Sequence, residues 1–428
     1  MEERSLYSPA FTKSIMPQHC NDTKNCCSLV ATPAPGGFFG LNHVHHFFRV
    51  SVAPLFASKT VEQAIIDFSS VKFWDISALL WLIIALDYYL RRSKAQEKNL
   101  RFLFRLPQSR PGMSKEEKDG FDKSADYLRR WKFDLALRNL ANDPSEMLVP
   151  EQKDYFRGGP KRFYQEHAMD IGEVLYYLIS QQLVEIRNLA DVQVSGERYI
   201  APNLVNECRK KFIDSGVGFI LYKQCNKPFL DANIFSKHLL NEGVLNVQEH
   251  PNASMGMVSV SLLGNAKTLV LAMADNGEPI PKTIYRHYLL WQRRNNAAEA
   301  EKLPDEYVED SIDPSIKADI ITHATRAGVS RKALKSETMP DVDVGTPKSG
   351  QDTTIGMGLT YIRNGTTDPK NFGGELTVLS AGVSVKFTRP GNNSPRDYQS
   401  LINYGYPWPG NLLRIAFPIT RHKNTSAK

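Results

Sequence analysis

The chain of 428 residues is poor in cysteine, and it lacks a long apolar run and a leader-like start. Its five cysteines are Cys20, Cys26, Cys27, Cys208 and Cys225. That odd, sparse set has no C-x-x-C pair, so neither a disulfide framework nor a zinc site is expected, and a reducing cytoplasm is. The longest unbroken apolar run, Ala78 to Leu86, is nine residues. A membrane-spanning helix needs about 20, so no span is expected. The opening MEERSLYSPAFTK has no basic stretch followed by an apolar core, so a secretory leader is not expected either. G-x-x-x-x-G-K-[ST] occurs nowhere, which excludes a P-loop nucleotide site.

What is present is ordinary for a globular chain: 42% hydrophobic and 23% charged residues. At roughly 100–200 residues per domain, two or three domains are expected. The net charge of +7 permits an anionic ligand. However, Arg286, Arg293, Arg294, Arg326 and Arg331 are interspersed with Glu299, Glu301, Asp305, Glu306 and Glu309. Such mixing reads as a solvated surface and does not support nucleic-acid binding.

Residues 1–46 hold several breakers and no clear period, and read as a tail or cap. Residues 47–142 read as a small α/β unit. Phe48 to Leu55 is expected to be a strand, Ile65–Phe68 and Val71–Trp74 short β runs, Ala78 to Arg92 a helix and Asn99 to Leu106 a strand. A helix over Lys115 to Asn142 follows, with a break near Gly120. Residues 143–199 read as a linker with a helix from about Tyr164 to Arg187. From about 200 the pattern is α+β, with helices over Pro202 to Ser215 and Asp231 to Glu249. Strands are expected at Met257 to Leu263, Thr268 to Ala274, Glu375 to Leu379, Val383 to Phe387 and Leu412 to Ile419, around a polar, partly helical insertion at 279–354. Four or five strands with three helices describe a two-layer sandwich.

Three signals fall in this last region. Glu242, Asn246 and His250 follow one another at intervals of four, which stacks them on one helical face. A carboxylate beside a carboxamide can polarise water and hold hydrated Mg²⁺, although any amphipathic helix has a polar face. Asp275-Asn276-Gly277 ends an apolar strand. There an aspartate can accept a hydrogen bond from an exocyclic amine such as that of adenine, and a glycine lets backbone approach a flat ring, although D-N-G is also a common turn. Gly356-Met357-Gly358-Leu359 opens a helix after Thr353 and Thr354. Amide groups and the helix dipole favour anions at such a place.

Taken together, E-x-x-x-N-x-x-x-H, a strand ending in D-x-G, a long insertion and G-x-G-L resemble the GHKL (Bergerat-fold) ATPase domain, over residues 200–422. Gly373-Gly374-Glu375-Leu376 with Ser380 fits that family's strand after the G-x-G helix, and Leu412 to Ile419 its closing strand. The resemblance implies ATP and Mg²⁺ as ligands. It implies Asn246 as the metal ligand, Glu242 as the residue orienting the attacking water or acceptor, and Asp275 holding adenine over Gly277. His250, Thr354, Gly356, Gly358 and Leu359 complete the implied nucleotide site, with 279–354 as the lid. Pro279 stands where the family often has a second glycine, and a proline there stiffens the turn.

The string Ile65 to Leu79 is similar to the strand, D-S-S-G-L turn and helix of STAS domains, and the loose likeness covers about 50–140. It makes Ser77 a candidate phosphoacceptor; the alternative is that Ser77 only caps the helix. The expected protein is an ATP-binding regulator that hydrolyses ATP or phosphorylates a protein serine, and acts with a protein partner or as a homodimer. The alternatives are a non-catalytic ATP-dependent scaffold and a sensor-type histidine kinase using His167.

Overall fold

A computed structural model of the chain describes residues 26–57, 61–95, 100–130, 133–137, 140, 144–157, 182–186, 256–263, 268–326, 358–391, 397–404 and 410–418, with single positions at 239, 242, 243, 246, 253 and 329. The expected helix over Pro202 to Ser215, and His167, lie outside the described residues.

The fold mixes helices and strands. In its first part β1 (Cys26–Val30), β2 (Phe38–Phe39), β3 (Gln63–Asp67), β4 (Phe73–Trp74) and β5 (Arg101–Arg105) make two parallel sheets, ordered β1-β3-β5 and β2-β4. Parallel neighbours need crossovers. These are α1 (Leu41–Phe47), running through a π turn into α2 (Ala53–Ala57), and α3 (Ile76–Ala95). From residue 26 onward, then, the stretch read as a tail or cap supplies a strand hydrogen-bonded to β3 and buried Leu29, Phe39 and Val44.

Phe48 to Leu55 is helical, not the expected strand. Its apolar–polar alternation suggested period two, yet the buried residues are Phe48, Val52 and Leu55, spaced four and three apart, while Val50 is exposed. A break near Gly120 is also absent. α4 (Lys115–Arg130) runs through it, followed by α5 (Phe133–Leu137). An interior glycine costs about 1 kcal/mol, which the buried Phe121, Ala125 and Leu128 offset. A capping box starts this helix, with Ser114 Oγ accepting from the Glu117 amide and Glu117 accepting from the Ser114 amide.

The second part is built on seven strands: β6 (Gln182–Ile186), β7 (Gly256–Leu263), β8 (Thr268–Asp275), β9 (Glu375–Ser380), β10 (Val383–Phe387), β11 (Ser400–Asn403) and β12 (Asn411–Pro418). Their order is β11-β10-β9-β12-β8-β7-β6, and every neighbouring pair is antiparallel. The sequence reading missed two of them. β6 takes over the end of the expected helix Tyr164 to Arg187, because Q-L-V-E-I fits both periods in so short a window.

Alternation along each strand divides the sheet. Leu269, Leu271, Met273, Leu413, Ile415 and Phe417 face α6 (Ile280–Asn295), which is followed by the short α7 (Ala297–Ala300), and α8 (Pro314–Ala324) and α9 (Gly358–Thr367) in one core. Val270, Ala272, Ala274, Leu412 and Ala416 face the other way, into a core shared with α3 and the parallel sheet. The expected two layers are therefore three, with α3 lying across the second face. Two of the helices read into the insertion, α6 and α8, belong to the packed layer through Ile284, Leu289, Ile320 and Ile321.

Arg363 of α9 is 2% exposed, and its guanidinium meets Asp397 at 2.5 Å, donates to Thr325 Oγ1 at 3.0 Å and lies over the Phe387 ring. Breaking such a buried pair from one side leaves an uncompensated charge. Arg363→Met should lower unfolding free energy by about 3–5 kcal/mol, read as a urea midpoint, with Arg363→Met/Asp397→Leu recovering part of the loss.

Candidate functional site

The sheet register builds one end of the site. Asn411 of β12 is paired with Asp275 of β8 on one side and with Ser380 of β9 on the other. Directly opposite residues share a face, so three polar side chains form a row at the strand ends. All three are buried. Asn411 Nδ2 donates to Asp275 Oδ1 at 3.0 Å, and Ser380 Oγ donates to Asn411 Oδ1 at 2.7 Å. The amide of Ile280, first residue of α6, donates to Ser380 Oγ and Asn411 Oδ1, both at 2.9 Å. Gly277 N donates to Asp275 Oδ1 at 2.9 Å, closing an Asx turn. Pro279 is the residue before α6 and holds extended dihedrals, so the turn passes straight into a helix.

Gly410 enters this row with φ +76°, and a Cβ on it would fall 1.8 Å from the Asp275 carbonyl oxygen. Only glycine fits there.

A second wall comes from the helical positions Glu242, Gly243 and Asn246. A Cβ on Gly243 would fall 2.0 Å from Met273 Sδ, so this turn presses on β8 two residues before Asp275. Asn246 Nδ2 donates to the Glu242 carbonyl at 2.8 Å. At the N-terminus of α9, a Cβ on Gly358 would fall 3.0 Å from Glu242 Oε2 and 3.2 Å from Asn246 Nδ2. The carboxylate, the carboxamide and the helix N-terminus therefore share one small space, where the dipole favours negative charge. Leu359, next along α9, packs half-buried on the helix-side core.

The structure thus brings together Glu242, Asn246 and Gly358, and joins them through Met273 to the strand carrying Asp275 and the turn carrying Gly277. His250, Thr354 and Gly356 lie outside the described residues. Ser77 is remote from this space. It is fully buried in α3, and its Oγ has no hydrogen-bond partner. Nor does it cap the helix: Asp75 Oδ1 accepts from the Ser77 amide at 2.9 Å, which makes Asp75 the cap. The sequence reading gave no role to Asn411 or Gly410. Their signal is a Gly-Asn pair opening the last apolar strand, and it acquires meaning only through the register.

In the helical layer, beside Tyr288 and Trp291, His287 of α6 and His323 of α8 are joined ring to ring at 2.8 Å. One ring donates and the other accepts, so at least one is neutral. Burial, then the charges of His287 and Arg326, pushes the His323 pKa down to about 3.

No protein-family model matches this chain, and comparison with curated proteins and with solved structures finds no match.

Gly410→Ala should cost about 2–4 kcal/mol, because both backbone clash and strained φ must be relieved; chemical denaturation reads this directly. The His323 proton is refused in the folded state and accepted in the unfolded one. The share of stability that comes from this group should therefore be level above pH 6.5 and fall as pH drops towards 3, losing about 2 kcal/mol by pH 5. Burial also pushes His45 and His287 down, so His323→Gln should make the limb shallower without removing it in urea titrations at pH 7 and pH 5.

Proposed function

We infer that the space between Glu242, Asn246, Asp275 and Gly358 binds ATP with Mg²⁺, in a GHKL-type domain of Bergerat architecture. The parallel-sheet unit before it is taken as STAS-like, and the whole as an ATP-binding regulatory protein. One observation carries this reading: a Cβ on Gly358 would stand 3.0 Å from the Glu242 carboxylate and 3.2 Å from the Asn246 carboxamide, so both groups crowd this helix N-terminus and a side chain there would push them back by a few tenths of an ångström. Residues about a hundred apart in sequence meet at a helix N-terminus, the place where a phosphate chain is best received.

The donor set suits the ligand. Mg²⁺ takes oxygen ligands and keeps several waters. Asn246 spends its Nδ2 on the Glu242 carbonyl, which leaves Oδ1 as the atom presented to a cation. Bound there, the ion supplies charge neutralisation for the phosphates. Asp275 is held as an acceptor by Asn411 and the Gly277 amide, and accepts from a purine amine. Glu242 orients a water or a serine hydroxyl and takes its proton during γ-phosphoryl transfer, a reaction that rests on positioning and electrostatics.

A fluorescent ATP analogue and a phosphate-release assay with Mg²⁺ test this. Asp275→Asn should weaken binding by about 10–100-fold, the loss of one charge-assisted hydrogen bond. Glu242→Ala should leave affinity within about threefold and lower turnover by at least about 100-fold. Equal binding by wild type and Asp275→Asn would overturn the site. Binding without turnover in the wild type would select the scaffold function over the enzyme.

A further inference from the structure

α3 is apolar on every side. From Ser77 to Asp87 each residue is buried, because the helix is enclosed between the first-part core and the seven-stranded sheet. Two polar contacts fasten it to that sheet. At its start, Asp75 lies 3.6 Å from Arg414 Nε of β12. About 18 Å further along the axis, Asp87, 4% exposed, accepts from Asn276 Nδ2 at 2.7 Å. A buried carboxylate is costly without hydrogen bonds, so its partner is held firmly in return.

That partner is the residue after Asp275. Alternation turns Asp275 towards the helices α6, α8 and α9, with Met273 and Leu271, and turns the next side chain towards α3. One peptide unit thus separates a side chain facing the ligand space from a side chain anchored in the first part. The turn is gripped on both faces: Asp275 by Asn411 and the Gly277 amide, Asn276 by Asp87.

We propose that Asp87 is a positioning residue for the nucleotide site: through Asn276 it fixes the Asp275–Gly277 turn, so the first part of the chain sets nucleotide affinity. This rests on the ATP reading above. By linkage, a bound nucleotide also strengthens the hold of the sheet on α3, and a partner that displaces α3 weakens nucleotide binding by the same factor.

The test uses the full chain, a fluorescent ATP analogue with Mg²⁺, and hydrogen exchange of the peptide covering 269–280. Asn276→Asp sets two carboxylates against each other and should weaken binding at least tenfold. Adding Asp87→Asn exchanges donor and acceptor, and should restore affinity to within threefold of wild type. Asp87→Leu, which keeps the apolar packing of α3, should weaken binding several-fold and speed exchange in the turn. Failure of Asp87→Asn to rescue Asn276→Asp would show that Asn276 acts without Asp87 and would overturn the proposal. So would unchanged affinity and exchange in Asp87→Leu. If the wild type binds no nucleotide, the ATP reading fails by itself. Exchange in the 269–280 peptide then decides the coupling: faster in Asp87→Leu and in Asn276→Asp, and recovered in the double variant, upholds it; unchanged exchange refutes it.

Discussion

The cross-strand register of β8, β12 and β9 is the constraint on which the rest depends. It sets Asp275, Asn411 and Ser380 opposite one another. A slip of one residue in β12 would turn Leu412 to the place of Asn411 and take the Asn411 carboxamide away from the buried Asp275. The same slip would set a residue with a side chain where Gly410 now clears the Asp275 carbonyl. Register here decides both which residues fill the cores and whether the strand ends hold a satisfied polar row.

The two faces of the sheet do different work. On one, α6, α8 and α9 pack over Leu271, Met273, Leu413 and Ile415, and Arg363 binds α9 to the end of α8 and to Asp397. On the other, α3 makes a floor. A helix with so little polar surface has to be enclosed, and enclosure needs two partners. The first part of the chain therefore does not complete its own core: Val270, Ala272 and Leu412 of the large sheet belong to the same cluster as Trp81 and Phe104.

The proposed coupling has its physical basis in this arrangement: Asp87 and Asn276 connect positions 189 apart in sequence at the point where β8 ends. Asp75, just before α3, and Asp87, about three turns further along it, fix its position along the sheet as well as its distance from it.

Several features were legible from the residues alone. The apolar run from Ala78 to Leu86, itself too short to span a bilayer, set the buried part of a helix, and no described helix is long and apolar enough to cross a membrane. Alternation set β5, and short apolar or strand-like runs set β7, β8, β9, β10 and β12, to within a residue or two, and spacing of four put Glu242 above Asn246. These are local properties, fixed by the period of the backbone. Other features needed the tertiary structure. Phe48 to Leu55 alternates like a strand but buries a helical stripe, and Q-L-V-E-I became β6 because β7 offered a free edge. The Gly410-Asn411 pair and Asp87 carry no local signal of what they do, since each takes its role from a partner more than a hundred residues away. Sequence fixes what a segment prefers; which side chains meet depends on register and packing, and these exist only once the chain has folded.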